Sequence, residues 1–426
     1  MRRWRLEARG QSSGQQQGSH RGSILAPVKR RTFLATPLLP LLPRAVFASQ
    51  PASQAPPPPG ASRFDPWIEV NADHLKQNAS EVARLTERPV MAVVKNNGYG
   101  LGVVNSARAL EPHASVHGFA VVKLQEALDL RAAGIKKPIL LMAPIDELEL
   151  PAIVDANVMP MVYTPIGDLL EKQSARVGRV IPIHVCVDTG IGRVGVPYLQ
   201  AEKLIRDLGS RKGVTISGTM MTYTEDLAFD KEQTQRFTAL TGKLKSAGFS
   251  LGRLHAASTY TLFQHGPETS FEMSRVGMAL LGIYPDPKFR AMKILDFETA
   301  LAMRVRVAYV KQLTAGTSAG YERAYIARKD TWIATLPVGH ADGWPRVAAK
   351  GGRVRINGRL YPVIASVSAS HTLVEIGDRQ SVNVGDVATL FDWEEGSRPE
   401  DLAAATGASV YDLTMHLSPL LHRRIV

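Results

Sequence analysis

Met91-Ala92-Val93-Val94-Lys95-Asn96-Asn97-Gly98-Tyr99-Gly100-Leu101-Gly102 is an apolar run that stops on a lysine and then breaks into glycines. Such a run reads as a buried strand followed by a tight turn. A strand end holds its last side chain in a fixed, poorly hydrated place, and loss of hydration lowers the pKa of a lysine. A lysine made neutral in this way can condense with an aldehyde cofactor. The plainer reading of an isolated Val-Val-Lys is a lysine that lays its stem on the strand and puts its ammonium in water.

Outward from Lys95 the chain keeps one rhythm. Short apolar runs at 90–95, 118–122, 138–143, 158–163, 181–188, 215–223, 253–258 and 277–282 read as strands. Amphipathic stretches such as 124–133, 167–176, 199–208 and 231–247 lie between most of them. Eight strand-then-helix units in about 190 residues is the rhythm of an α/β (β/α)8 barrel. An open doubly wound sheet alternates in a similar way, so the rhythm alone leaves both. From about residue 295 the helical patterns stop, and short strands are expected at 300–312, 332–337, 352–356, 359–366, 371–376 and 387–391, separated by Gly, Asn and Asp turns. The expected division is a barrel over 66–295 and a mainly antiparallel C-terminal β-domain over 296–426.

The first sixty residues are of another kind. They hold nine Lys/Arg against one acid, Glu7, so only +4 of the net +12 belongs to the rest of the chain. The basic balance therefore says little about nucleic acid, and no nucleic-acid partner is expected. Lys29-Arg30-Arg31-Thr32-Phe33-Leu34, a modest apolar stretch and Val46-Phe47-Ala48 follow the order of an export signal of twin-arginine type, expected over 1–48. The expected location is periplasmic, or cytoplasmic if the leader does not work. Its short, proline-interrupted apolar run makes no stable membrane span. Residues 49–65, with Pro56 to Pro59 in a row, read as a linker that will not pack. Cys186 is the single cysteine, which excludes an intrachain disulfide and a paired-cysteine metal site.

In a barrel enzyme the working residues sit at the C-terminal ends of the strands. On that rule Lys95 and Tyr99, Asp188 to Arg193, Tyr223, His255 with Ser258-Thr259, and Arg275 to Met278 converge on one mouth. Several of these stretches resemble the alanine racemase family. The Lys95 segment is similar to its V-V-K-A-N-A-Y-G-H-G motif, with Asn96 and Gly98 for the two alanines and Leu101 for the histidine. Asp188-Thr189-Gly190-Ile191-Gly192-Arg193 matches D-T-G-x-G-R, and Arg275-Val276-Gly277-Met278-Ala279-Leu280-Leu281-Gly282 resembles R-x-G-I-A-L-Y-G. The resemblance runs from about Trp67 to Val426.

That resemblance implies a fold-type III enzyme using pyridoxal 5′-phosphate, bound through Lys95, that racemises an amino-acid substrate by two-base proton transfer at Cα. It implies that Trp67–Val70 pairs with the second domain. It places Arg193 near the cofactor's phenolic oxygen and the substrate carboxylate. Arg275 would face the pyridine nitrogen. An arginine has no proton to give at neutral pH, so the ring stays a weaker electron sink and the proton returns to Cα. The backbone of Gly277 and Met278 would hold the phosphate with Thr259, in the serine position of H-x-A-N-S; Tyr99, Tyr223 and His255 would complete the cofactor site. The second base would be Tyr321, in Gly320-Tyr321-Glu322-Arg323-Ala324-Tyr325, donated by the other subunit of a homodimer.

Some positions depart from the family. Cys186 replaces a lysine that orients the arginine matched by Arg193, Tyr223 replaces a stacking histidine, and His340 replaces a tyrosine. The C-M-D-Q segment at the substrate entrance reads Ser368-Ala369-Ser370-His371, so Ala369 and Ser370 are expected to widen the mouth for side chains beyond methyl, cationic ones included. Two other functions stay open: another pyridoxal reaction on D-amino acids (dehydratase, aldolase or decarboxylase), or non-catalytic cofactor binding. No metal site is expected.

Overall fold

The computed structural model describes residues 62–426. The export segment expected at 1–48, and the linker up to residue 61, lie outside the described residues.

Eight parallel strands form the barrel: Val90–Val93, Val116–Val121, Ile139–Leu141, Met159–Val162, Ile181–Asp188, Val214–Met220, Arg253–His255 and Ser274–Val276. The eighth lies against the first in parallel, with Arg275 beside Met91. Between the seventh and eighth, the amides of Glu272 and Arg275 donate to Leu254 and Ala257 carbonyls at 2.9 and 3.3 Å, so the sheet is nearly closed. The strands are apolar on both sides because helices cover the outside and side chains fill the inside, as parallel sheets require.

Two sequence expectations need correction here. The eighth strand is Ser274–Val276, and the apolar run 277–282 is a 3-10 turn over Met278–Leu281 that ends on left-handed Gly282. A Cβ at Gly282 would meet the Glu298 carbonyl oxygen at 1.9 Å. That close backbone approach bends the chain out of the barrel. Arg275 therefore stands on the last strand and not ahead of it. The second correction is that helices do not stop at 295, since Pro399–Thr406 and Val410–Met415 are helical.

The C-terminal part is a nine-stranded sheet. Trp67–Val70 joins it, antiparallel to Leu301–Arg306 on one side and parallel to the terminal strand His422–Ile425 on the other. The helix that follows, Ala72–Thr86, starts on an Asn71 side chain that accepts the amides of Asp73 and His74. Its buried stripe is Leu75, Asn78, Ala79, Val82 and Thr86, the spacing of one helix face. One hydrophobic core runs from the first barrel strands, through Met91, Phe119 and Ile139, to Ile356 and Phe391 of the sheet and Trp344 in a loop beside it. A second core fills the later strands, around Ile183, Ile205 and Phe237.

At the seam of the nine-stranded sheet Arg304 pairs with Glu69 at 2.6 Å, and Trp67 Nε1 donates to the same carboxylate at 3.0 Å. Both charged side chains are largely buried. Removing one partner of a buried pair strands the other charge and costs about 3–5 kcal/mol. Arg304→Met is therefore expected to destabilise the protein by that amount in denaturant unfolding. A loss within about 1 kcal/mol would mean that water reaches Glu69.

Candidate active site

Lys95 is the second residue after the strand Val90–Val93, and the backbone then turns left-handed. Asn96, Asn97, Gly98 and Tyr99 have φ of 54°, 56°, 63° and 52°. Left-handed backbone costs about 1–2 kcal/mol for each ordinary residue, and asparagine and glycine bear it best. Asn96 and Gly98, the departures from the family's alanines, are residues of that kind. Gly98, Gly100 and Gly102 donate back to Val94 and Asn97 carbonyls, which closes the turn on itself.

The lysine sits half-buried among cations. Burial, then Arg275 and Arg193, push its pKa below the ordinary lysine value, and the charge of Glu126 opposes them. Its Nζ lies 5.9 Å from the centre of the Tyr99 ring. Tyr99 is buried, which raises its phenol pKa. A Cβ on Gly277 would stand 2.4 Å from the Tyr99 hydroxyl, so the first and eighth units touch here and only glycine fits.

Arg275 uses one guanidinium nitrogen, Nη2, for the Met221 and Ala256 carbonyls and the Thr222 hydroxyl, at 3.2–3.4 Å. Its Nε is buried and has no partner. Burial pushes Arg275 below the ordinary arginine value. Thr259 opens a helix capped by Ser258 and accepts the Ala279 amide at 3.0 Å, which leaves its hydroxyl proton available as a donor. Gly277 and Met278 form the start of the turn beside it. His255 is fully buried and shares a 2.9 Å hydrogen bond with His184. Burial drives His255 well below the ordinary histidine range and His184 to about 3, so both rings are neutral near pH 7. A Cβ on Gly218 would meet the His184 ring at 2.5 Å, so glycine makes room for that pair.

Asp188 accepts the amides of Gly190 and Gly192 and shapes the loop that carries Arg193. Arg193 is exposed, and among the described residues it makes no hydrogen bond or ion pair. Behind it Cys186 is buried, with its thiol pushed up to about 11 by burial.

Tyr223 is placed elsewhere than expected. It lies beyond the end of its strand, bonds Thr234 through its hydroxyl at 3.0 Å and leans on the His265 ring. His265 in turn holds buried Asp230 at 2.6 Å. These partners belong to the helices outside the barrel, so the ring is packed against the helix layer. Tyr321 is also set apart: it is 75% exposed and lines an open cavity of about 610 Å³ with Glu322, Ala324, His340, Arg346 and Ser366 to Ala369. Ser370, the next residue, is exposed. No barrel residue lines that cavity. The chain thus carries a lysine-bearing barrel mouth and a tyrosine-bearing face on the β-domain.

The structure adds residues that the sequence reading missed. Glu126 accepts the Asn97 amide at 2.9 Å. The Val410–Met415 helix packs on the Lys95 turn, with Asn96 Nδ2 donating to Met415 Sδ at 3.8 Å. It carries Tyr411, whose phenol is pushed up to about 12 by burial and Glu225. The acid-rich start Pro399-Glu400-Asp401 was the legible sign of helix in this stretch.

Comparison with known proteins accounts for this arrangement. The alanine racemase N-terminal domain family matches residues 70–285, and the alanine racemase C-terminal domain family matches 300–425. The chain belongs to the alanine racemase family. An alanine racemase of Methanococcus maripaludis is 30% identical over 368 residues, covering 84% of this chain and 97% of that protein. Alanine racemase 2 of Bacillus subtilis is 30% identical over 375 residues, 84% and 93% of the two chains. The crystal structure of alanine racemase from D-cycloserine-producing Streptomyces lavendulae superposes with a TM-score of 0.78 at 25% identity, over 86% and 98%. The protein is an amino-acid racemase, with the (β/α)8 barrel and antiparallel sheet of that family.

Racemases of this family depend on pyridoxal phosphate. The residues present fit such a group. A lysine amine held toward neutrality can condense with the aldehyde, and the orphaned Arg275 Nε is a donor waiting for a buried acceptor. Gly277 opens a place where any side chain would collide with Tyr99.

Cys186 allows a direct check on burial at the barrel mouth. With its thiol near 11, less than about one part in a hundred of the ordinary thiolate population exists at pH 8. Iodoacetamide labelling of the folded protein at pH 8 is expected to be at least ~100-fold slower than that of the unfolded chain. Comparable rates would show the thiol reachable and ionised.

Proposed function

We propose that this racemase carries pyridoxal 5′-phosphate on Lys95 and inverts an amino acid at Cα with two bases, Lys95 on one face and Tyr321 of a second copy on the other, one removing the α-proton and the other delivering a proton from the opposite side. The observation that carries the reading is the separation of the two bases: the lysine, lowered in pKa, lies at the barrel mouth, and the exposed tyrosine lies in a cavity without barrel residues. A homodimer with shared sites supplies each mouth with the missing base. When bound, the cofactor provides an electron sink for the carbon that loses its proton.

Each side chain then has a task. Arg275 gives the pyridine nitrogen a hydrogen-bond donor that does not part with its proton. Arg193 offers a guanidinium fork to the substrate carboxylate. The backbone of Gly277 and Met278 holds the phosphate with the Thr259 hydroxyl, while Tyr99 and His255 wall the site. Tyr223 has no part in this reading, because its hydroxyl and ring are engaged outside the barrel. The basic leader and its twin-arginine-like order support a periplasmic site of action.

The decisive test follows α-proton exchange and chirality in D2O with single L- and D-amino acids. Borohydride reduction of the holoenzyme is expected to label Lys95. Tyr321→Phe is expected to lose exchange on one enantiomer by ~100-fold or more, the usual worth of a general acid or base, with cofactor absorbance intact. Equal mild losses for both enantiomers would assign the proton to another group.

The entrance supports substrates larger than alanine. Ala369 lines a roomy cavity where the family places a methionine. Charge adds no preference for cations, because the Arg346 guanidinium, bonded to His340 at 3.3 Å, lines the same cavity as Glu322. Ala369→Met combined with Ser370→Asp is expected to narrow turnover toward alanine and serine, at ~1–3 kcal/mol of discrimination per excluded methylene. The idea fails if the wild type turns over alanine alone and the double variant behaves identically.

A further inference from the structure

We infer that Glu126 is a positioning residue for Lys95: its carboxylate, reaching from the neighbouring barrel unit, holds the left-handed turn that aims the lysine. The inference rests on the reading that Lys95 carries the cofactor.

Glu126 lies in the first turn of the helix Leu124–Ala132, just after the strand Val116–Val121. That strand is the neighbour of the lysine strand, and the Val94 amide donates to Ala120 at 2.9 Å. From there Glu126 Oε2 reaches back to the Val122 amide at 3.4 Å, while Oε1 accepts the Asn97 amide at 2.9 Å. The side chain is 8% exposed, and among the described residues it joins no ion pair. A buried carboxylate without a cation is costly, and hydrogen bonds must offset the cost. One of its two bonds goes to the middle of the strained turn, two residues after Lys95.

Among the described residues, the Asn97 amide has no other acceptor. The turn's other backbone bonds close it on itself, through the Val94 and Asn97 carbonyls, and further contacts secure its C-terminal side: the Asn97 side chain accepts Val103 N–H at 3.2 Å, and Arg423 Nε donates to the Gly100 carbonyl at 2.7 Å. Among the described residues, Glu126 is the side chain from another barrel unit that accepts a backbone amide of the left-handed centre. It is also the acidic group whose charge opposes Arg275 and Arg193 at Lys95. A helix cap with no wider role would need only the bond to Val122.

The test uses full-length Glu126→Ala and Glu126→Gln, with Asp129→Asn, a half-buried position on the same helix that makes no contact with the turn, as control. Hydrogen–deuterium exchange is followed in cofactor-free protein over the peptide holding Asn96 to Tyr99, and kinetics are measured on the holoenzyme. Glu126→Ala is expected to speed exchange at this turn by ~10-fold or more, through local opening. Its kcat should fall by about 100-fold with KM within about twofold, the pattern of a misplaced reacting group. Glu126→Gln keeps an oxygen for Asn97, so its exchange should stay near wild type. The titration of Lys95, read by pH-dependent reductive methylation, should move down, because the opposing charge is gone. Unchanged exchange at the turn in Glu126→Ala, or faster exchange confined to residues 124–132, would overturn the inference and leave a helix cap. A borohydride label on another lysine would overturn the Lys95 reading first, and this inference with it, whatever the turn does. A label on Lys95 with unchanged exchange would overturn this inference alone.

Discussion

The turn from Asn96 to Tyr99 is the constraint on which the rest of the architecture depends. Several successive left-handed residues do not hold themselves in water, since each non-glycine among them is uphill. The fold secures the turn from several directions. The second barrel unit supplies Glu126. The eighth supplies Gly277, whose missing side chain is the room for Tyr99. The C-terminal segment supplies Arg423, together with the Thr414 carbonyl, which a Cβ on Gly100 would meet at 2.2 Å. The strand that carries Arg423 is fixed by Trp67–Val70, which is fixed in turn by Leu301–Arg306. The lysine therefore points where it does only when barrel and β-domain are both folded, and the continuous core between them is the energetic expression of that dependence.

The same coupling decides what could be read without coordinates. The strand that leads into Lys95 and the D-T-G-x-G-R loop were legible because each needs a rigid local pattern: apolar residues, then glycines at fixed places. The apolar run Gly277 to Gly282 was misread as a strand, since a short apolar stretch looks the same whether it pairs or turns. Only the approach of the Glu298 backbone to Gly282 shows that it must bend. The surroundings of Tyr223 were hidden for a related reason. A residue a few places past a strand end can face the mouth or the helix layer, and the Asp230–His265 pair that draws it outward lies on two later helices. Glu126 carried no local sign of its role, because its partner is a backbone amide 29 positions away.

The division of the chemistry that we propose between two surfaces has a physical logic. A lysine kept toward neutrality needs a dry, crowded mouth with cations nearby, which the barrel interior provides. A second base on the opposite face of a planar substrate cannot come from the same strand ends without crowding them. Placing it on the rim of the antiparallel sheet, in a loop where Glu322 and Arg323 are also left-handed, separates the two requirements. On the proposed reading the cost is that neither face is complete alone, so affinity between subunits would become part of catalysis.

Cys186 shows how one departure propagates through such a site. In the family a lysine at this position orients the arginine matched by Arg193. A buried thiol near 11 offers neither a charge nor a strong acceptor at neutral pH, and its one weak contact is with the Val194 carbonyl at 3.8 Å. Arg193 is correspondingly exposed and unpartnered among the described residues. An unrestrained guanidinium loses more conformational entropy on binding a carboxylate than one already held by a neighbour. It can, however, follow the carboxylate of substrates seated at different depths. If Arg193 and Ala369 play the roles proposed for them, a freer arginine and a roomier entrance would act in the same direction, trading tight binding of one small amino acid for tolerance of several.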